Sequence, residues 1–216
     1  AQVPYMTFHR EEWQKGGQQT TLDDAEQLFE WPIFVKPANA GSSVGITKAT
    51  DRPSLQRGID EALRYDDKIV LEQGIKAREI EMGVIGNYDT KCSVPGEIRP
   101  ENVDFYDYEA KYADTSTQLI IPAEVTPEVR HKMTAMAVAA FRVLNCTGLV
   151  RADFFVTADN EVYINEVNTM PGFTPTSMFP QLWDKTGVSY AKLIHELIEL
   201  AFERYEDKQQ IQYTVK

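Results

Sequence analysis

The stretch at positions 151–173, RADFFVTADNEVYINEVNTMPGF, constrains the fold of this chain more than any other part of the sequence. Two runs of alternating β-branched and aromatic residues lie on either side of Asp159 and Asn160, a pattern typical of a β-hairpin. The sequence therefore predicts two antiparallel strands joined by a two-residue loop at Asp159 and Asn160.

The predicted hairpin brings four polar side chains together. Asp153 then faces Glu166 and Arg151 faces Asn168, and all four project from one face because side chains alternate along a strand. Two directly opposed carboxylates repel each other. A divalent cation removes this repulsion, and two carboxylates with an amide oxygen are ligands that Mg²⁺ takes while it also holds nucleotide phosphates. We therefore predict a magnesium site at Asp153, Glu166 and Asn168.

The same predicted face becomes apolar toward the turn. Phe155 and Ile164 would lie there and would suit a flat base. The alternative is a surface hairpin whose charges are merely solvated, because a motif match is a hypothesis until its structural context is known.

The charge of the chain argues against one class of partner. The 216 residues include 22 basic and 33 acidic side chains, which give a formal net charge of −11. Nucleic-acid binding requires a basic surface, so we expect no nucleic-acid partner. The composition, with 43% hydrophobic and 25% charged residues, is that of an ordinary globular protein.

Cysteine content and hydropathy predict the compartment. Cys92 and Cys146 are too few for a disulfide scaffold, which favours a reducing compartment. The sequence contains no signal peptide and no apolar run long enough to span a bilayer. We therefore expect a soluble, cytoplasmic protein without a membrane partner. The chain opens at Ala1 directly on a strand-like segment, as a piece cut from a longer protein would.

Short strands alternate with helical patterns along the chain, which indicates an α+β fold. We expect helices at 21–29, 54–65, 126–145 and 189–205 and strands at 4–8, 32–36, 68–72 and 78–86. The polar stretch 104–117 and the segment from the hairpin to Ser177 are predicted to be loops.

A glycine-rich segment follows the predicted strand at 32–36. Gly41-Ser-Ser-Val-Gly45 offers backbone N–H groups and two hydroxyls, as an anion-binding nest does, although it lacks the ending of a Walker A loop. Lys36 on the preceding strand could hold phosphate charge. The alternative is a solvated edge-strand lysine that limits aggregation.

Four further residues could be functional or could be ordinary surface residues. Glu72 and Glu79 bracket a short connection between two apolar strands and could be surface acids at strand ends. Lys111 and Tyr112 lie in the polar loop, where functional residues are common but ordinary ones are more so.

Together these motifs resemble the ATP-grasp part of the D-alanine–D-alanine ligase family. The matching segments are VKPANAGSSVGI (35–46), EIEMGVIG (79–86), FYDYEAKY (105–112), RADFF (151–155) and NEVNTMPGFTPTSMFP (165–180). They cover essentially the whole chain in the family's order. The resemblance implies an ATP-grasp fold with two α+β lobes, residues 1–75 and 76–216, and a nucleotide cleft between them.

The resemblance implies a role for each matching position. For ATP these are Lys36 and the flap residue Ser43 at the phosphates, Glu72, Gln73 and Ile75 at adenine, Glu79 at the ribose, and Lys111. Asp153, Glu166 and Asn168 match the Mg²⁺ ligands, with Mn²⁺ as a substitute. Arg151 and Gly172 match the groups that stabilise an oxyanion. Ser42 and Tyr112 match a hydrogen-bonded pair that ties the flap to the loop 104–117. Ser177 and Met178 match the binding site for the carboxylate of the second D-alanine.

The implied activity is an ATP-dependent ligation. The carboxylate of one D-alanine attacks the γ-phosphate, and the amine of a second D-alanine then displaces phosphate from the acyl phosphate. The family also has an amino-terminal domain that precedes the matched part, and we expect a homodimer when the enzyme is complete. Two alternatives stay open: a D-alanine–D-lactate ligase, against which Tyr112 argues, and an Mg²⁺–ATP-binding fragment without turnover.

Overall fold

The computed structural model describes residues 1–100 and 117–212, and it confirms the predicted mixture of helices and sheets. The described strands form a four-stranded and a five-stranded sheet, and their recorded pairings are antiparallel. The chain divides into two compact units, one containing Gln2–Lys76 and the other containing Ala77–Arg99 and the residues from Gln118 onward.

The smaller unit contains the four-stranded sheet, with strand order β1-β4-β2-β3. Its strands are β1 (Tyr5–His9), β2 (Ile33–Pro37), β3 (Thr47–Ala49) and β4 (Lys68–Gln73). Its helical segments are α1 (Arg10–Glu12), the π-helical segment Trp13–Gly17, α2 (Gln18–Leu28) and α3 (Arg52–Ala62).

One face of this sheet forms the core of the smaller unit. The fully buried Ile33, Val35 and Leu71 lie in one cluster with Leu55 and Ile59 of α3. Helix α3 begins at this position because Asp51 accepts the Ser54 N–H at 2.7 Å and a proline occupies the first turn. The opposite face of the sheet carries partly exposed side chains, including Phe34, Lys36 and Glu72.

The larger unit contains the five-stranded sheet, with strand order β7-β6-β5-β8-β9. Its strands are β5 (Ala77–Gly86), β6 (Lys91–Pro100), β7 (Thr117–Ile120), β8 (Gly148–Thr157) and β9 (Val162–Asn168). Its described helices are α4 (Pro127–Val143), α5 (Met178–Lys185) and α6 (Tyr190–Gln209).

Helices cover both faces of this sheet. The α4 side chains Met133 and Phe141 pack in one core with Met82 and Phe154. On the other face, Trp183 of α5 lies over Gly83, where an added Cβ would stand 2.7 Å from the indole nitrogen. Glycine at this position therefore allows α5 to approach the middle of β5 closely.

The long amphipathic helices are found near their predicted positions. Helix α4 begins after Thr126, whose hydroxyl accepts the Val129 N–H at 3.3 Å. Helix α6 begins after Ser189 and continues four residues beyond the predicted end, to Gln209. Helix α5 was not predicted: its apolar residues Met178, Phe179, Leu182 and Trp183 lie at helical spacing, but eight residues are too few for the pattern to predict a helix.

The hairpin register is right, but the predicted loop is wrong. Thr157 donates its N–H to the Glu161 carbonyl at 3.0 Å, so the loop has three residues, and Asn160 adopts the left-handed region with φ 63°. A bulge between Asp153 and Phe154 then restores the predicted pairing further along the strands.

The bulge also changes which residues oppose each other near the turn. Ile164 opposes Phe154 and lies against the core, whereas Phe155 opposes Tyr163. The predicted apolar face formed by Phe155 and Ile164 is therefore wrong, because an extra residue in β9 moves Ile164 to the other side of the sheet.

Glu97 on β6 is a buried acid that two arginines neutralise. Arg78 donates to both carboxylate oxygens, at 3.1 and 2.7 Å, and Arg99 donates at 3.1 Å to the oxygen Oε2. Burial alone would raise the pKa of Glu97, but the two arginines outweigh burial, so its pKa lies below the ordinary value.

Replacement of Glu97 should make the stability of the chain less dependent on pH in the acidic range. Because the pKa is lower in the folded state, Glu97 stabilises the fold above its unfolded pKa, about 4.3, and this stabilisation is lost as the pH falls below that value. We expect Glu97→Gln to cost about 1–2 kcal/mol at pH 7 and to flatten the loss of stability below about pH 5. Urea unfolding at several pH values measures both effects.

The control for this measurement is Glu161→Gln, which removes an exposed acid whose partner Lys132 lies 3.0 Å away. This variant should follow the pH dependence of the native chain. An unchanged pH slope in Glu97→Gln would contradict the assignment.

Candidate active site

The acidic hairpin of the larger unit places the predicted metal-binding residues on one face. Asp153 is directly opposite Glu166, and Arg151 is directly opposite Asn168, as the sequence predicted. The core-facing residues Val150, Ala152, Phe154 and Val156 alternate with them along β8 and are buried, which fixes the outward direction of the polar side chains.

Arg151 neutralises Asp153 directly. Its Nε and one terminal nitrogen each donate to a different Asp153 oxygen at 2.7 Å, which is the bidentate geometry of a strong ion pair. Glu81 of β5 also contacts the guanidinium, with Oε2 2.9 Å from Nε. Glu81 and Asp153 are directly opposite on neighbouring strands, and both are buried.

Glu81 is a site residue that the sequence analysis missed. It lies in the apolar run of β5, two positions beyond Glu79, and is only 5% exposed. A charged residue in a strand that otherwise reads as buried was the available signal, because buried charges require a partner.

The pKa values reflect this crowding of charge. Burial, the largest influence, and the nearby Glu166 carboxylate together raise the pKa of Asp153 to about 6, although Arg151 opposes them. Burial would lower the pKa of Arg151, but Asp153, Glu81 and Glu166 outweigh it and raise that pKa above its ordinary value. The guanidinium therefore stays charged.

This arrangement fits a divalent cation. Asp153 and Glu166 are directly opposite each other, so two carboxylates face one position, and Arg151 neutralises one of them in this structure. Asn168 Oδ1 accepts the Met170 N–H at 3.0 Å, which orients the amide oxygen. Within residues 1–100 and 117–212, no three His, Cys, Asp or Glu side chains are grouped as a metal site.

The smaller unit brings two predicted ATP-binding residues into contact. Lys36 Nζ lies 2.5 Å from Glu72 Oε2, and both side chains are largely buried. Phe34 is directly opposite Glu72 and lies on the same face as Lys36. Strand β2 lies between β4 and β3, so the alternative of an edge-strand lysine is wrong.

Hydrogen bonds of one side chain fix the connection that follows β4. The Gln73 side chain accepts the Glu30 N–H at 2.8 Å and donates to the Glu30 and Gly74 carbonyls, at 3.0 and 2.8 Å, which fixes the end of the strand. Ile75 follows this strand end and is half-buried. Glu79 lies on β5 directly opposite Phe155 of β8.

The glycine-rich segment has an unusual backbone. Ser42 and Ser43 both have positive φ, at 55° and 59°, which costs energy for residues with a Cβ and occurs often at functional sites. Val44 donates its N–H to the Gly41 carbonyl at 3.1 Å. Lys111 and Tyr112 lie outside the described residues, so the predicted contact between Ser42 and Tyr112 stays a prediction.

The loop after the hairpin brings three predicted substrate and catalytic residues close together. A Cβ on Gly172 would stand 3.1 Å from the Ser177 hydroxyl. That hydroxyl also lies 2.8 Å from Thr174 Oγ1 and accepts the Thr174 N–H at 3.1 Å. Met178 begins α5 and is buried, so this helix anchors the end of the loop.

Two units built on antiparallel sheets, with an acidic hairpin in one and a lysine and glycine-rich segment in the other, define the ATP-grasp class of fold. The family described as "D-ala D-ala ligase C-terminus" matches residues 1–199. The chain therefore belongs to the D-alanine–D-alanine ligase family.

Curated relatives agree with this assignment. The D-alanine–D-alanine ligase of Bacillus cytotoxicus is 54% identical over 214 residues, and that of Geobacillus thermodenitrificans is 55% identical over 213 residues. Each alignment covers 99% of this chain but only 59% and 58% of the relative. The chain thus spans less than two thirds of the length of the relatives that it matches.

Solved structures give the same fold. The D-alanine–D-alanine ligase from Coxiella burnetii is 33% identical with a TM-score of 0.81, and covers 97% of this chain and 54% of its own. The D-Ala:D-Ser ligase VanG from Enterococcus faecalis is 31% identical with a TM-score of 0.82, and covers 93% of this chain and 57% of its own. Among the described helices, none combines the length and apolar character needed to cross a membrane.

Proposed function

We propose that the complete protein is an ATP-dependent ligase that joins two D-alanines to D-alanyl-D-alanine through an acyl phosphate, for peptidoglycan synthesis. The single observation that carries the proposal in this chain is the Arg151–Asp153 pair opposite Glu166 and Asn168. It supplies two carboxylates, an amide oxygen and a permanent cation on one sheet face, as phosphoryl transfer from a metal-bound nucleotide requires. Membership of the family supports the choice of substrates.

Asp153, Glu166 and Asn168 would hold Mg²⁺, or Mn²⁺ in its place. When bound, the metal neutralises the charge that develops on the phosphates. The buried strand β8 fixes the direction of the Asp153 side chain, so little freedom is lost when a ligand binds.

For ATP itself we propose six further residues. Lys36 binds phosphate charge, and Glu72 and Ile75 lie at adenine. Gln73 lies with them at adenine, and its amide, which binds Glu30 and Gly74, fixes the strand end there. Glu79 binds the ribose hydroxyls and Ser43 donates to phosphate from the glycine-rich flap. The family resemblance adds Lys111 to this set.

For the ligation step we propose that Arg151 and the Gly172 backbone stabilise the developing oxyanion. A donor fixed in advance, such as a guanidinium held by two carboxylates, is the arrangement that favours charge development. Ser177 and Met178 bind the carboxylate of the second D-alanine. Ser42 and Tyr112 close the flap and exclude water, because an acyl phosphate hydrolyses readily.

We also propose the organisation that the family implies. Residues 1–75 and 76–216 form the two ATP-grasp lobes, and a domain preceding them in the relatives helps to bind the first D-alanine. The free thiols of Cys92 and Cys146 support a cytoplasmic location. Assembly of two complete copies stays a prediction from the resemblance.

The test of the proposed function is a coupled assay of ADP release. These residues alone should bind Mg²⁺–ATP and form little dipeptide, and addition of the amino-terminal domain in trans should restore D-alanine-dependent ADP release. Full turnover by the isolated chain would overturn the proposed role of an amino-terminal domain, and no turnover by the complete protein would overturn the proposed function. Parallel assays with D-serine and D-lactate decide between D-alanine and the two alternative second substrates.

Lys36→Ala should weaken ATP binding about tenfold or more and adenosine binding much less, because its proposed partner is phosphate. Calorimetric titration of both ligands measures the difference. The control is Lys48→Ala on the neighbouring strand β3, where the lysine is exposed. Equal losses for ATP and adenosine would return Lys36 to a structural role.

A further inference from the structure

Two carboxylates from neighbouring strands contact the same guanidinium. Asp153 on β8 accepts both hydrogen bonds, and Glu81 on β5 contacts Nε at 2.9 Å. The Glu81 side chain is only 6% exposed and that of Arg151 is 17% exposed. An ion pair that is removed from water to this degree has a strong geometric preference, because few waters compete for its atoms.

The charges of this cluster do not balance. Glu81, Asp153 and Glu166 carry three negative charges when ionised, and Arg151 carries one positive charge, which leaves a formal charge of −2. One divalent cation would bring the sum to zero. With a cation bound, Asp153 and Glu166 balance the charge of the metal, and the buried Glu81 is the carboxylate left to balance Arg151.

Arg151 and a metal would compete for Asp153. Both Asp153 oxygens already accept hydrogen bonds from the guanidinium, so an incoming cation meets a positive group at the oxygens that it needs. The two cations repel each other, and the bidentate pair must loosen when Asp153 becomes a ligand. A guanidinium released without another anion would be a buried, uncompensated charge, which is costly.

We propose that Glu81 is the positioning residue that takes over the Arg151 guanidinium when Asp153 binds a divalent cation. Glu81 already touches Nε, and it lies opposite Asp153 in the register of β5 and β8. A small rotation of the guanidinium therefore exchanges one carboxylate for the other. Arg151 stays charged and in place beside the metal, and Asp153 becomes available as a ligand. This inference rests on the metal site of the proposed function.

The competing explanation is that Glu81 acts only through its charge, by attracting any cation. Both explanations predict weaker metal binding in Glu81→Gln, so that variant alone does not separate them. They differ when Arg151 is removed. Transfer of the guanidinium requires Arg151, whereas a simple attraction between Glu81 and the metal does not.

The first experiment measures Mn²⁺ binding by electron paramagnetic resonance, with MnCl₂ alone and with MnCl₂ and ATP. We expect Glu81→Gln to weaken Mn²⁺ binding about tenfold in the native chain and less than twofold in an Arg151→Met background. The matched control is Glu97→Gln, another buried glutamate paired with arginine on the same sheet, which should leave Mn²⁺ binding unchanged. Equal losses in the two backgrounds would overturn the proposal.

The second experiment observes Arg151 itself, and the Arg151 variant serves only to assign its signal. Arginine Nε–H signals are recorded by ¹⁵N NMR during titration with MgCl₂, and Arg151→Lys identifies the Arg151 signal by its loss. We expect the signal to shift and stay protected from solvent exchange in the native chain, and to broaden in Glu81→Gln. The Arg78 Nε–H, which donates to Glu97 at 3.1 Å, is the internal reference and should not respond.

The outcomes separate this inference from the proposed function. If the native chain shows no Mn²⁺ binding that is lost in Asp153→Asn, both the metal site and this inference are overturned. Mn²⁺ binding that depends on Asp153 but not on Glu81 would overturn this inference alone. An Arg151 signal that Mg²⁺ leaves unchanged, or broadens equally with and without Glu81, would do the same.

Discussion

Asp153→Asn and Glu166→Gln should each weaken binding of Mg²⁺–ATP by tenfold or more. Each change keeps the size of the side chain but removes a negative charge that faces the proposed metal. Asp153 is buried and held by Arg151, whereas Glu166 is exposed at the opposite position on β9. We therefore expect Glu166→Gln to change metal binding with little effect on folding, and Asp153→Asn to affect both.

Calorimetric titration of the variants with Mg²⁺–ATP measures this loss, and thermal unfolding without ligand measures the effect on folding. Glu161→Gln is the matched control, because Glu161 is an exposed acid of the same hairpin that pairs with Lys132. Unchanged affinity in Glu166→Gln would contradict the metal assignment and favour a solvated surface hairpin.

Trp183→Ala should destabilise the chain by about 3–5 kcal/mol, the largest stability effect that we predict. Trp183 is 1% exposed, and its ring packs against Phe179 with 6.4 Å between ring centroids. Its removal leaves a cavity over Gly83, where the indole nitrogen would stand 2.7 Å from an added Cβ. The loss should also loosen α5, which begins next to Ser177.

Urea unfolding followed by circular dichroism measures the change in free energy. Trp183→Phe is the first control and should lose less, because a ring still fills most of the space. Trp31→Ala is the second control, since Trp31 is 39% exposed and should cost little. A loss below about 1 kcal/mol in Trp183→Ala would show that α5 is not a firm part of the core.

The acidic hairpin was predictable from the sequence, although part of the reasoning was wrong. Alternation of side chains and the Asp-Asn turn signal gave the correct opposition of Asp153 and Glu166. The loop has three residues rather than two, and the bulge next to Asp153 compensates for the difference. A bulge has no composition signal in this stretch, so only the structure shows that Ile164 lies against the core.

Features that depend on tertiary contacts could not be predicted. Helix α5 has only eight residues, so its stability depends on tertiary packing, including that of Trp183 and Phe179 over Gly83. The role of Glu81 depends on the pairing of β5 with β8, which sequence spacing does not reveal. Lys36 was assigned to its strand correctly, but its contact with Glu72 depends on the strand order.

The most direct measurement of the central claim is the position of the metal. A crystal of this chain grown with MnCl₂ and ADP can be measured at the manganese absorption edge, where anomalous scattering identifies Mn²⁺. We predict a manganese peak about 2.1 Å from the side-chain oxygens of Asp153, Glu166 and Asn168 and next to the diphosphate. A bound ADP whose manganese lies away from the hairpin, with Asp153 still paired to Arg151, would contradict the account.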